Sequence, residues 1–468
     1  MLDVGRDDIV EGSLPRALVV LSVPLVAQNL VQVANQVVDV FWLGRLSENA
    51  VAGVGLVIPL LGLLYALDFI PFVGTQVVVS QRVGTDDYPG ARRGAFNGLA
   101  FALLAGALAG VAVIGFANPL VGLLRPDDVV STYAVPYLAT YAIGLPAFFL
   151  ADTMEGSLVG FGDSRGAFYL NVVAVSLNVV LDPILIFGIG PLIPAMGVRG
   201  AAYATIIGYL VGLGLAVGMV VRGRKGVKVT RTACRLRPAD IREIVRIGLP
   251  SSGQTLGRHS VRVLMVGIVS AVGGPAGLAA YTVGARIASV AFIPAQGLQQ
   301  AAQSVVGQNL GADRPDRARR TTVVGVAIAC GSLAVVGVIQ WLVPGLLAAT
   351  FIPGGSALGT ALTIDYLRIL AYGYPALGAI YVIAAGFNGA RKTRTSMVIT
   401  LLQYWAVRLP IAVAGAFYLG AGVHAVFWAV TISNVTAAIG GGVYYWWRSE
   451  DGMLEAAAVR ATGTGKGL

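Results

Sequence analysis

The sequence predicts an all-α polytopic membrane protein, with 12 transmembrane helices in two pseudo-symmetric six-helix bundles around a central cavity. Three observations carry this. Apolar stretches long enough to cross a bilayer as a helix recur along nearly all of the 468 residues. Only 12% of the residues are charged and the mean hydropathy is +0.77, whereas a soluble domain carries about 25% charge. One pattern also occurs twice. Residues 79–93 read VSQRVGTDDYPGARR and residues 306–320 read VGQNLGADRPDRARR, so that Gln81, Gly84, Asp86, Ala91, Arg92 and Arg93 recur as Gln308, Gly311, Asp313, Ala318, Arg319 and Arg320.

The spans, numbered in chain order, fall near 16–43, 51–79, 95–116, 131–157, 167–188, 199–221, 245–272, 278–305, 321–343, 358–386, 397–418 and 424–447. The runs are continuous, unlike the ~10-residue alternating strands of an outer-membrane barrel. Span 1 is too long for a signal-peptide core and lacks a clear cleavage site, so it reads as a retained span. Pro24 and Pro250 each interrupt the start of an apolar run, and Phe161-Gly-Asp-Ser-Arg165 lines up with Phe387-Asn-Gly-Ala-Arg391. Glycine, 62 of 468 residues, allows close helix approach in pairs such as Gly106/Gly110 and Gly208/Gly212. The predicted organisation is an N-terminal lobe at 1–221, a basic cytoplasmic linker at 222–242, a C-terminal lobe at 243–447 and a polar, loose cytoplasmic tail at 448–468. A short amphipathic approach from Pro238 carries Ile241, Ile244, Val245 and Ile247.

With both termini inside, all but eight of the 33 Lys and Arg lie at cytoplasmic ends or loops. The eight are Arg45, Arg125, Arg199, Arg258, Arg262, Arg286, Arg368 and Arg408. This bias predicts the orientation. The net charge of +10 then places basic loops against anionic lipid head groups, with no need for nucleic acid. The two cysteines and two histidines form no disulfide or metal motif, and no catalytic serine or phosphate-binding loop is present. These absences argue against an intramembrane enzyme and call for no cofactor. A half-chain repeat in so apolar a protein instead implies a transporter of two related halves.

Polar residues form stripes inside the spans. Gln28, Gln32, Asn35, Gln36 and Asp39 share one face of span 1. Ser251, Thr255, Arg258 and Arg262 stripe span 7; Gln296, Gln299, Gln300 and Gln303 stripe span 8; Asn171, Asn178 and Asp182 stripe span 5. Together they predict a hydrated cavity and not only interhelical hydrogen bonds. A central Asp costs roughly 2.5–3.5 kcal/mol on insertion scales, so Asp39, Asp68, Asp152, Glu155 and Asp182 each need a reason. All five lie in the first half, which predicts one cation site there. Two carboxylates, an amide and a hydroxyl suit Na+, or one carboxylate carries a proton. For Asp39 and Asp182 the rival reading is pairing with a buried arginine; for Asp68, Asp152 and Glu155 structural pairing is the plainer reading, with Arg258 and Arg262 balancing Asp68 or Glu155.

The chain resembles the multidrug and toxic compound extrusion (MATE) transporters. The resemblance rests on Val38-Asp39 through Gly44-Arg45-Leu46, the paired loops at 80–93 and 307–320, Asn178-Val-Val-Leu-Asp182-Pro183, and Gly197-Val-Arg-Gly200-Ala-Ala-Tyr-Ala-Thr205. It implies two six-helix lobes and export of organic cations or drugs in exchange for Na+ or H+. Resemblance to the archaeal and DNA-damage-inducible branch implies an ion site at Asp39, Asn178, Asp182 and Thr205, and a bend at Pro24. The expected substrate cavity takes in Gln32, Asn35, Gln36, Asp68, Tyr137, Glu155, Arg258 and Arg262. The resemblance also implies a monomer in a prokaryotic cytoplasmic membrane, with amphipathic small molecules and lipid as its partners. Arg258 and Arg262 leave open an alternative: a flippase or exporter of lipid-linked, anionic or zwitterionic substrates. Arg408 stands at the position equivalent to Asp182 and reads as a structural cation.

Overall fold

A computed structural model of the chain describes residues 5–124, 127–223, 233–351 and 356–462. Arg125 and residues 224–232 of the expected linker therefore lie outside the described residues. Those residues form helices joined by short turns, with one isolated bridge between Ile189 and Ile193.

Ten helices are long and apolar enough to cross a membrane, and the pair Asp128–Ile143 and Leu145–Gly160, bent by 53°, makes another span. The helix Pro238–Ala291 accounts for the twelfth. Its 54 residues would reach about 80 Å if straight, far beyond a bilayer core of about 30 Å. It breaks at Gly274, where φ is +55°, a conformation that favours glycine. Span 7 is the leg before this break. Span 8 is the leg after it, continued as Ile293–Gly311. Exposed Leu104, Leu108 and Val111 on span 3 typify the lipid-facing surface.

The sequence repeat is written into the backbone. Asp86 and Asp313 both adopt positive φ, +62° and +55°. Each closes its helix in the same way: Asp87 N–H donates to Arg82 O and Arg314 N–H to Asn309 O. Gly162 (φ +83°) and Arg391 (φ +60°) form a second such pair, capped by Asp163 N–H to Leu158 O and Lys392 N–H to Phe387 O. This shifts the alignment of Phe161 with Phe387 by three residues. The hydrogen bonds make Gly162 the counterpart of Arg391, not of Asn388.

Contacts divide the chain into two units, Ala27–Ser252 and the combination of Met1–Val26 with Gly253–Leu468. Both crossings lie two residues beyond a repeat-related proline, Pro24 or Pro250. The division thus follows the prolines, where the sequence repeat alone suggests a break in the linker.

In the Ala27–Ser252 unit, helices touch backbone to backbone. Side chains added at Gly106 and Gly110 would strike the Leu145 and Ala142 carbonyls. Pro238–Ala291 begins here, its start packed so closely that Gly74 meets Ile244 O and Gly248 meets Ile70 O. Arg82 Nη2 ties this helix down, 2.7 Å from Asp240 Oδ1 and 2.9 Å from Glu243 Oε2, and Arg93 Nε lies 3.2 Å from Asp240 Oδ2. Asn97 accepts from Arg237 N–H and donates to Arg235 O.

The other unit is built around span 10 (Ala357–Gly389), which packs chiefly on spans 9 and 12. Tyr281, Tyr366 and Phe427 stack at its centre. Span 11 widens into π-helical turns at Leu402–Arg408 and Ala414–Tyr418. Arg408 is buried there, with Nε donating to Ser433 Oγ, Nη2 to Asn434 Oδ1, and its guanidinium 4.1 Å above the Tyr404 ring. Near the start of the chain, a short helix at Arg6–Val10 buries Ile9 and Val10, and Arg317 donates to the Ile9 and Gly12 carbonyls.

The polar tail is ordered where it is described, contrary to the sequence expectation. The helix Met453–Thr462 buries Met453, Leu454, Ala457 and Ala458 beside Phe387 and Val306. Four apolar residues on one face outweigh a polar composition.

Candidate ion site

The Ala27–Ser252 unit gathers its polar residues by bringing spans 5 and 6 together. Side chains added at Gly200, Gly208 or Gly212 would collide with the carbonyls of Leu185, Ala174 and Leu170. This close approach sets Thr205 of span 6 against Asn178 of span 5. Span 5 carries Asn178 one turn before Asp182, and span 1 carries Asn35 one turn before Asp39, so two Asn–Asp pairs face each other.

Asn35 Nδ2 donates to Asp39 Oδ2 at 3.3 Å. The Asn178 amide pairs donors with acceptors when its nitrogen faces span 1. It then donates to Asn35 Oδ1 (2.7 Å) and Asp39 Oδ1 (3.0 Å), and its oxygen accepts from Thr205 Oγ1 (3.2 Å). Ala201 O, 3.1 Å away, is the other acceptor open to the single Thr205 hydroxyl proton. Asp39 and Asp182 are within hydrogen-bonding reach of each other. A bond between two carboxyls needs one proton, or a cation in its place. Asp182 is fully buried and its Oδ2 has no hydrogen-bond partner. Among the described residues no lysine, arginine or histidine forms an ion pair with either acid. Carboxyl, amide and hydroxyl oxygens without a balancing base suit a small hard monovalent cation.

Of the residues expected from sequence, Asp39, Asn178, Asp182 and Thr205 thus come together. Asn35, expected along the cavity, joins them, and Tyr137 lies within electrostatic range of both acids. Gln32 belongs to a neighbouring network. Its Nε2 donates to Asn171 Oδ1 (3.0 Å), Asn171 Nδ2 donates to Glu155 Oε2 (2.9 Å), and Gln28 lies close to Glu155. Asp68 joins neither group and instead meets Asp152 of span 4. Gln36 is exposed. Pro24 sits inside a helix that runs unbroken from Leu14 to Leu46. Arg258 and Arg262 belong to the other unit, where Arg258 Nη2 donates to Thr255 Oγ1 and Arg262 is exposed.

Asn35 is the residue whose part the sequence reading understated. The signal was available: an Asn four residues before an Asp occurs in both span 1 and span 5. The tyrosines Tyr65, Tyr141 and Tyr209, which surround Asp68 and Asp152, went unnoticed because aromatic residues in spans ordinarily serve packing.

Comparison with known proteins adds to the geometry. The family model described as MatE matches residues 24–184 and again residues 250–414. The two matches begin at the repeat-related prolines. A "Probable multidrug resistance protein NorM" of Pseudomonas putida is 28% identical, across 95% of this chain and 96% of its own. An "FAD transporter" of Shewanella oneidensis is 24% identical, across 93% and 95%. A solved structure described as the outward-facing conformation of a multidrug resistance MATE family transporter of the MOP superfamily superposes with a TM-score of 0.89. It shares 25% identity and is matched across 96% of this chain and 98% of that one.

Proposed function

The chain belongs to the MatE family of multi-pass membrane transporters and is not an enzyme, and we propose that it is an antiporter. It exports organic cations and other amphipathic drugs in exchange for Na+ or H+, with Asp39 and Asp182 as the ion-coupling carboxylates. The observation that carries this is the Asp39–Asp182 pair, Asp182 buried and Asp39 half-buried, flanked by Asn35, Asn178 and Thr205 with no basic partner among the described residues. The multidrug resistance proteins that match nearly the whole chain support the substrate class. The presence of the acids in the N-terminal half supports the archaeal and DNA-damage-inducible branch.

In this reading Asn35 and Asn178 hold the two carboxyls at a fixed separation. The entering cation replaces the shared proton or is itself that proton, and Thr205 supplies a further oxygen to Na+. Export follows only if ion and drug favour different conformers, since tight binding to both shifts nothing. Pro24, which denies span 1 one backbone hydrogen bond, is the hinge for that change. A charge moved inward gains about 2.3 kcal/mol per 100 mV. The transporter acts as a monomer in a prokaryotic cytoplasmic membrane, with both termini inside and no resident cofactor.

Proteoliposomes loaded with a fluorescent lipophilic cation test the reading. An imposed Na+ or pH gradient is expected to drive efflux from wild-type vesicles, and Asp39→Asn is expected to reduce it to the passive leak. Undiminished gradient-driven efflux in a folded Asp39→Asn protein would sink the assignment.

A further inference from the structure

A second pair of acids lies apart from the first. Asp68 of span 2 and Asp152 of span 4 line a cavity of about 20 Å³, room for one water-sized occupant. Tyr65, Tyr141 and Tyr209 also line it, with leucine and phenylalanine side chains supplying apolar surface. The two carboxyls lie close enough to interact, as do Tyr65 and Tyr209. Asp68 is only 4% exposed, and its buried Oδ1 has no hydrogen-bond partner. The ionisable groups facing the pair are Glu155 on span 4 and the three tyrosines, on spans 2, 4 and 6. Among the described residues no ion pair with lysine or arginine offsets Asp68, Asp152 or Glu155. The plainer expectation of a buried arginine partner therefore finds no support.

Two acids at membrane depth cost several kcal/mol unless a positive charge accompanies them. A packing role would be served better by apolar side chains. The unpartnered Asp68 oxygen and the cavity beside it leave space for that charge. We propose that Asp68 and Asp152 form a second monovalent-cation site, filled by Na+ or H+, in addition to the Asp39–Asp182 pair. The two pairs share no residue. They are joined along one face of span 4, where Tyr137, near the first pair, and Tyr141, at the second, have ring centroids 6.0 Å apart.

The test uses the purified full-length chain in lipid nanodiscs. Asp39→Asn/Asp182→Asn silences the first pair. In that background, radioactive Na+ binding at constant pH and proton uptake after a pH step are measured side by side. One cation is expected to remain, and adding Asp68→Asn, or separately Asp152→Asn, is expected to abolish it. Loss of a Na+ signal identifies sodium as the occupant, and loss of proton uptake alone identifies the proton. If neither quantity changes on adding Asp68→Asn and Asp152→Asn, the proposal is overturned. As a check that does not need the silenced background, Asp68→Asn alone is expected to lower the wild-type cation count from two to one, and an unchanged count also overturns it. Coupled efflux of Asp39→Asn is read separately, so either site can fail without the other.

Discussion

At the scale of single residues, some polar side chains hold the fold together and others sit in the candidate ion site. Thr205 tests the second class. Thr205→Val keeps the shape of the side chain and removes one oxygen. Na+ affinity is expected to fall about tenfold, or ~1.4 kcal/mol, with thermal stability nearly unchanged, as isothermal titration and melting would show. Asp240 tests the first class. It lies in the first turn of Pro238–Ala291, ahead of the apolar part of that helix. Burial raises its carboxyl, but the Arg82 and Arg93 guanidiniums outweigh burial and hold it below the ordinary carboxylate range. A lowered native value means that the stabilisation is present above the unfolded carboxylate value and is lost as pH falls through the native one. Asp240→Asn is therefore expected to cost about 1–3 kcal/mol at neutral pH and almost nothing in strong acid, as melting in detergent would report. The acids of spans 1 and 5 were legible in the sequence because their cost in a membrane singles them out. Asp240 was not, because an acid in a basic polar segment attracts no attention until a fold places two arginines beside it.

At the scale of elements, small residues decide how helices meet. Gly208→Ala places a methyl group against the Ala174 carbonyl and forces spans 5 and 6 apart. Overpacking of this kind costs about 1–3 kcal/mol. Because the same contact aligns Thr205 with Asn178, cation affinity is expected to fall along with the melting temperature. Gly214, on the same helix, has open space around it, so Gly214→Ala is expected to change neither. At the turns, Asp313 is exposed and stands at φ +55°. Asp313→Val is expected to cost about 1–2 kcal/mol in backbone strain, while Asp313→Gly is expected to cost nothing, both read from thermal melts. The spans and the close glycine contacts were legible because length, hydropathy and spacing carry them. The ends were less so. The break at Gly274 between spans 7 and 8 and the ordered segment Met453–Thr462 depend on one glycine's backbone and on a four-residue apolar face, signals too short to stand out beside long apolar runs.

For the whole molecule, the repeat announced two halves, and the family model matches each half in turn. What the repeat did not reveal is where contacts change hands. Periodicity marks which residues correspond, whereas compactness depends on which surfaces bury one another. A linker rich in charge looks like a boundary, yet the described part of the chain beyond it stays with the first unit until Ser252, held by Asp240, Glu243 and the close contacts at Gly74 and Gly248.

The crossings beyond Pro24 and Pro250 give each unit a piece of the opposite half. Residues up to Val26 complete one unit, and residues up to Ser252 complete the other. A gene cut within the linker would therefore yield two fragments that are each missing a part and each carrying the other's. Such fragments are expected to be degraded when produced singly and rescued when produced together, like two hands that must clasp before either grip closes.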